Sequence, residues 1–180
     1  MGRDMALEIE RKFLVRDESW RAHCAHQQEI RDGLIAIADG RKVRVRICDQ
    51  RATLTVKAKT ERLANHEFEY EIPLSDAEEL LARHCLRAAL AKTRYVVPHG
   101  QHVWHVDVYK GILKGVVLAE VELPSETADV ALPPWIGREV TGNPDYKKTN
   151  MVDKRLNIMP SSALVPVDTM ADGHPGHGRR

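Results

Sequence analysis

Charged side chains recur at every second position along this chain: Glu8, Glu10 and Lys12, then Arg44 and Arg46, Lys57 and Lys59, Glu69 and Glu71, Lys92 and Arg94, Asp107, and finally Glu120 and Glu122. A period of two belongs to the β-strand, whose successive side chains point to opposite faces, so each group shares one face of its strand. The bases suit a compact polyanion, because guanidinium groups grip phosphate oxygens with paired hydrogen bonds and ammonium groups add point charge. The acids suit a hard cation with oxygen ligands, Mg2+ or Mn2+, shared between carboxylates and phosphates. Basic rows alone would store an anion; acids among them imply that a metal and a polyanion meet there.

An antiparallel sheet with one wet face also carries charge, and its cross-strand pairs contribute about 0.2–1 kcal/mol each. These rows hold few Ser, Thr or Gln, which separates them from such a face. If the sheet curls with the rows inward, uncompensated charge becomes costly to desolvate, so ligands of both signs are expected inside.

The elements that must position these residues are short. Alternation predicts strands over Leu7 to Val15, Lys42 to Cys48, Ala52 to Lys59, His66 to Pro73, Ala91 to Val97, Val103 to Tyr109 and Val116 to Leu123. One more strand is predicted from Arg31 to Ile37, bent at Gly33. Asp49-Gln50-Arg51 reads as a hairpin turn, and Ser75-Asp76-Ala77-Glu78 as a capping box that starts a helix through Leu80, Leu81 and Leu86. Helical pieces are expected at Trp20 to Gln28, Trp135 to Val140 and Thr149 to Leu156. The opposite parity is apolar, with Phe13, Val43, Val45, Ile47, Val106 and Val121 among its members, and helices are available to cover it. The fold class is α+β, a barrel or strongly curved antiparallel sheet with helices on its outside.

Length and composition set bounds. At 180 residues one domain is expected, over residues 7–157, with a flexible start at 1–6 and a disordered Gly-, Pro- and His-bearing tail at 158–180. The balance of 27 basic and 26 acidic residues does not suggest neutralisation of a nucleic-acid backbone, so no nucleic-acid partner is expected. No apolar run approaches the roughly 18 residues that cross a bilayer, and no signal region opens the chain, so a cytoplasmic location without membrane contact is expected. Cys24, Cys48 and Cys85 are too scattered for a disulfide framework or a zinc knuckle, and His23 and His26 lack further ligands nearby.

Glu8-Ile9-Glu10-Arg11-Lys12-Phe13-Leu14 resembles the Glu-x-Glu-x-Lys opening of the CYTH superfamily, the triphosphate tunnel metalloenzymes. Val43-Arg44-Val45-Arg46, Thr55-Val56-Lys57-Ala58-Lys59, Glu67-Phe68-Glu69-Tyr70-Glu71, Lys92-Thr93-Arg94-Tyr95, Val106-Asp107-Val108-Tyr109 and Leu118-Ala119-Glu120-Val121-Glu122 resemble later segments of that family in the same order, as does Trp135-Ile136-Gly137-Arg138-Glu139-Val140-Thr141. The resemblance implies an eight-stranded antiparallel tunnel. It implies Glu8, Glu10, Asp107, Glu120 and Glu122 as ligands of Mg2+ or Mn2+, and Lys12, Arg44, Arg46, Lys57, Lys59 and Arg94 as triphosphate-gripping bases. Lys92 is implied as the group that orients or deprotonates the attacking water, and Glu69 and Glu71 as further tunnel acids.

Family members include inorganic and thiamine triphosphatases and class IV adenylate cyclases, so fold membership leaves the reaction open. The short form most resembles the triphosphatases, which predicts a small triphosphate as substrate; the cyclase, or a sensor that binds polyphosphate or nucleotide without turnover, is the alternative. A homodimer is left open. Two departures stand out: Gly33-Leu34-Ile35 where such triphosphatases commonly read Gly-Tyr-Leu, and His105 where an acid is usual.

Overall fold

The computed structural model describes residues 9–59, 65–125 and 127–156. The segments expected to be flexible or disordered, 1–6 and 158–180, lie outside the described residues, as does Glu8.

Among the described residues the chain forms nine strands: β1 (Ile9–Val15), β2 (His26–Ala38), β3 (Arg41–Cys48), β4 (Arg51–Lys59), β5 (Asn65–Glu71), β6 (Leu90–His99), β7 (His102–Tyr109), β8 (Val117–Leu123) and β9 (Ile136–Glu139). They form one sheet in the order β5-β4-β3-β2-β6-β7-β8-β1-β9, and all of its pairs are antiparallel. The expectation of eight strands is corrected to nine: Ile136–Glu139, expected to be helical, pairs with β1. β5 and β9 end the sheet, and among the described residues no pairing joins them into a closed barrel. The helix expected from Trp20 to Gln28 shrinks to a 3-10 turn at Ser19–His23, after which β2 begins at His26 and runs for 13 residues.

The outer face is the apolar parity. Phe13, Val97, Trp104, Val106, Val121 and Leu123 are buried there with Trp20 from the 3-10 turn and Val130 and Trp135 from the segment before β9. Trp104 meets Phe13 at 5.4 Å and Trp135 edge-on at 5.7 Å between ring centroids. Such aromatic pairs contribute about 0.5–1.5 kcal/mol beyond their buried area. Helix α1 (Leu74–Arg83) covers the other half of this face, packing Ala77 and Leu81 on Val45, Ile47 and Ala52. It starts at Leu74 with Pro73 as its cap, and no side chain closes the predicted capping box. Gly33 is required beneath it: a Cβ there would come within 2.2 Å of the Cys85 sulfur.

Helix α2 (Lys148–Arg155) departs from the expectation that helices lie outside. Its Met151 and Val152 pack on Leu90, Tyr109 and Leu118, which share parity with Lys92, Asp107 and Glu120. The charged face therefore ends in an apolar layer that α2 seals. Bidentate pairing of Arg87 with Asp153 ties the helix to the segment between α1 and β6.

Candidate active site

The inner face carries a continuous chain of ion pairs across four strands. Lys12 on β1 holds its Nζ 3.3 Å from Glu10 Oε1 and 3.1 Å from Glu120 Oε1 on β8. Glu120 Oε2 accepts from Arg94 Nη2 at 2.8 Å. Arg94 on β6 grips Asp107 on β7 with both nitrogens of its fork, at 2.7 and 2.8 Å, and Lys92 donates to the same Asp107 Oδ2. The register produces this: Lys12 faces Glu120, and Arg94 faces Asp107, directly across antiparallel pairs. Lys92, Asp107 and Glu120 are all buried.

Burial on this scale moves proton affinities. The Lys92 ammonium is pushed down to about 8, chiefly by burial and then by the charge of Lys148, while Asp107 opposes the shift. Burial would raise Asp107, but hydrogen bonds from Arg94 and the charges of Lys92 and Arg94 hold its carboxyl far below the usual range. Arg94 therefore balances Asp107, which leaves Lys92 able to release its proton. Burial and then the Glu120 charge raise Glu10, against Lys12 and Lys148. His105, across from Glu120 in the register, is lowered by burial and by Arg94, whose Nη1 lies 3.4 Å from its Nδ1.

On the other side of the face, Arg44 reaches Thr55 Oγ1 at 3.3 Å and Glu67 at 3.5 Å, and Lys57 pairs with Glu67 at 2.6 Å. Arg46 donates to Asp32 Oδ2 at 3.1 Å. Arg44 Nε and Arg46 Nε are buried without a hydrogen-bond partner. Glu69 takes a hydrogen bond from Thr55 at 3.1 Å, and Glu71 takes one from Arg51 at 3.2 Å. Glu122 stands opposite Glu10 and is exposed. Lys59 ends β4 across from Asn65.

Two cavities open on this face. The first, of about 380 Å³, is walled by Lys12, Lys42, Arg44, Lys57, Arg87, Lys147 and Lys148, with Asp32 the one acid among its described lining residues. The second, of about 670 Å³, mixes Arg46, Arg51 and Arg94 with Asp49, Glu69 and Glu71, and His105 also lines it. Both fall in the range of about 300–1,000 Å³ usual for small-molecule sites. Leu34, at the position of the expected tyrosine, lines the first cavity.

Asp32, Thr55 and Lys148 belong to this face and escaped the sequence reading. Lys148, from the first turn of α2, acts by its charge on Glu10, Asp32, Lys92 and Glu120. β2 carries charge on both parities, Glu29 and Arg31 on one and Asp32 on the other, so alternation does not single out Asp32.

The donor set fits a hard cation. Glu10 and Glu120 already converge on a point cation, the Lys12 ammonium, through carboxylate oxygens. Among the described residues no group of three or more carboxylates, histidines or cysteines is arranged to hold a metal by itself. Magnesium commonly takes one or two carboxylates and completes its shell with water and substrate phosphates. Asp107 has both oxygens engaged by Lys92 and Arg94.

A family model described as the CYTH domain matches residues 6–154. The chain is 39% identical over 148 residues to an inorganic triphosphatase of Acetivibrio thermocellus, covering 82% of this chain and 94% of that one. It is 35% identical over 145 residues to an inorganic triphosphatase of Nitrosomonas europaea, covering 78% and 93%. A solved crystal structure of an inorganic triphosphatase superposes with a TM-score of 0.61 at 30% identity, over 81% of this chain and 93% of that one.

Proposed function

Because this chain belongs to the CYTH domain family, we propose that it is an inorganic triphosphatase, hydrolysing a linear triphosphate on the inner face of its sheet. Its relatives of 39% and 35% identity bear that name, and each aligns over more than nine-tenths of its length. The single observation that carries the reading is the juxtaposition of a strongly basic cavity with a carboxylate pair that already surrounds a cation.

In this reading Arg44, Lys57 and Lys12 bind the phosphate oxygens with Lys59, Lys148 adds charge from α2, and Arg46 and Arg94, held by carboxylates beyond the first cavity, add positive field. The fork-shaped donor of Arg44 in the wall of the first cavity supports its role in binding. Glu10 and Glu120 would hold Mg2+ or Mn2+, with Glu122 and Glu8 as further candidate ligands; such a metal would neutralise phosphate charge and orient the oxygens. Asp107, gripped by Lys92 and Arg94, orients those two bases and stands with Glu10 and Glu120 as a candidate metal ligand. Lys92, whose affinity for its proton is weakened by burial and by Lys148, orients the attacking water and accepts its proton. The water oxygen bonds to the terminal phosphorus in line as the bridging P–O bond breaks, and pyrophosphate leaves with the electron pair.

The test is phosphate release from tripolyphosphate, ATP and thiamine triphosphate, with and without magnesium, beside a Glu10→Ala variant and an assay for cyclic AMP. Metal-dependent release from tripolyphosphate that Glu10→Ala removes is the expected result. Cyclic AMP from ATP would instead make the chain a cyclase, and tight triphosphate binding without turnover of any substrate would make it a sensor.

A further inference from the structure

The basic cavity has an end, and three strands mark its level. On β2 the wall passes from Asp32 in the first cavity to Ile30 in the second; on β3 it passes from Arg44 to Arg46, and on β6 from Leu90 to Arg94. At this level Arg46 and Asp32 meet at 3.1 Å, and Thr55 lies wholly buried on β4 between Lys57 of the first cavity and Thr53 of the second. A septum, a belt of side chains along the wall of β2, β3 and β4, therefore marks where a cavity rich in positive charge gives way to one whose charges balance.

Asp32 is the part of that septum an anion in the first cavity would meet. The residue is 6% exposed. Burial would raise its carboxyl, yet Lys148, Arg46, Lys92 and Arg44 together hold it low, so it stays ionised. An oxyanion pressed toward an ionised carboxylate in a poorly screened interior is repelled, and like charges brought together cost several kcal/mol.

We infer that Asp32 is a specificity-determining residue, an end stop that limits the phosphate chain this cavity accepts. A linear anion enters among the lysines and Arg44, and its inner end halts short of the carboxylate that holds Arg46 in the septum. A longer chain would have to displace the Asp32–Arg46 pair or leave its outer phosphates outside the basic wall. The inference deepens the triphosphatase reading and rests on it for the identity of the ligand.

Binding and turnover are read separately. Dissociation constants for tripolyphosphate and tetrapolyphosphate come from thermal-shift titrations of the wild type, Asp32→Asn and Asp32→Glu, and hydrolysis of both anions is assayed in parallel. The wild type and Asp32→Glu should favour tripolyphosphate, and Asp32→Asn should shift the tetra-to-tri affinity ratio toward the longer chain by about tenfold, the scale of one like-charge contact. An unchanged ratio in a folded Asp32→Asn variant overturns the end stop. So does a wild type that binds tetrapolyphosphate as well as tripolyphosphate, a result that needs no variant to fold. Absence of hydrolysis by the wild type counts against the triphosphatase reading and leaves the affinity ratio as the judge of Asp32.

Discussion

The two cavities share one sheet face, but they treat charge differently. In the second, three acids, Asp49, Glu69 and Glu71, share the wall with three arginines, and Arg51 pairs with Glu71. In the first, the partners stand back from the wall. Arg44 and Lys57 share Glu67, Lys12 turns to Glu10 and Glu120, and Arg87 to Asp153, none of which lines that cavity. The same inventory of arginine, lysine and carboxylate therefore gives a self-neutralised hollow on one side of the septum and a positive one on the other. What distinguishes a binding cavity from a salt-bridged surface here is where the counter-charges stand.

The sharpest way to probe that contrast is at the boundary itself. Lys92 lies between Leu90 of the first cavity and Arg94 of the second along β6, and its replacement by Ala should lower kcat by about 10²–10⁴-fold, the usual contribution of a positioned acid or base. Steady-state kinetics on tripolyphosphate should show KM moving far less, since Arg44 and Lys57 remain; an equal loss in both would make Lys92 a binding residue. Next in size, Arg44→Ala should raise KM for tripolyphosphate by about tenfold or more, the loss of charged hydrogen bonds. Arg51→Ala, at an exposed pair in the second cavity, should leave KM within about twofold. Equal effects would erase the distinction between the cavities. The smallest effect concerns the seal beneath α2. Tyr109 is buried there with a hydroxyl that has no partner, so Tyr109→Phe should leave stability unchanged or raise it by up to about 1 kcal/mol in urea denaturation. A loss of that size would mean that the hydroxyl has found a partner.

Much of this face was legible in the sequence. The rows Arg44 and Arg46, Lys92 and Arg94, and Glu120 and Glu122 appear as alternation, because on these strands one parity is charged and the other apolar. Where both parities carry charge, as on β2, periodicity loses its meaning and Asp32 drops from view. β9 illustrates a second limit: four residues are too few to show a period, and a Cβ on Gly137 would lie 3.1 Å from the Leu14 carbonyl oxygen, a tertiary constraint that no local pattern records. α2 illustrates a third. Its helical character is readable, but the side of the sheet it packs on depends on the apolar layer of Leu90, Tyr109 and Leu118, assembled from three strands distant in sequence.

All three tryptophans of this chain, Trp20, Trp104 and Trp135, are buried together in the outer core, on the face opposite the cavities. Their indoles are screened from solvent and separated from the charged face by the thickness of the sheet. Intrinsic emission should therefore report unfolding strongly and ligand occupancy hardly at all. A fluorescence titration with triphosphate should be nearly flat in the native protein, whereas the same signal followed through a thermal ramp should reveal the anion as a displaced midpoint.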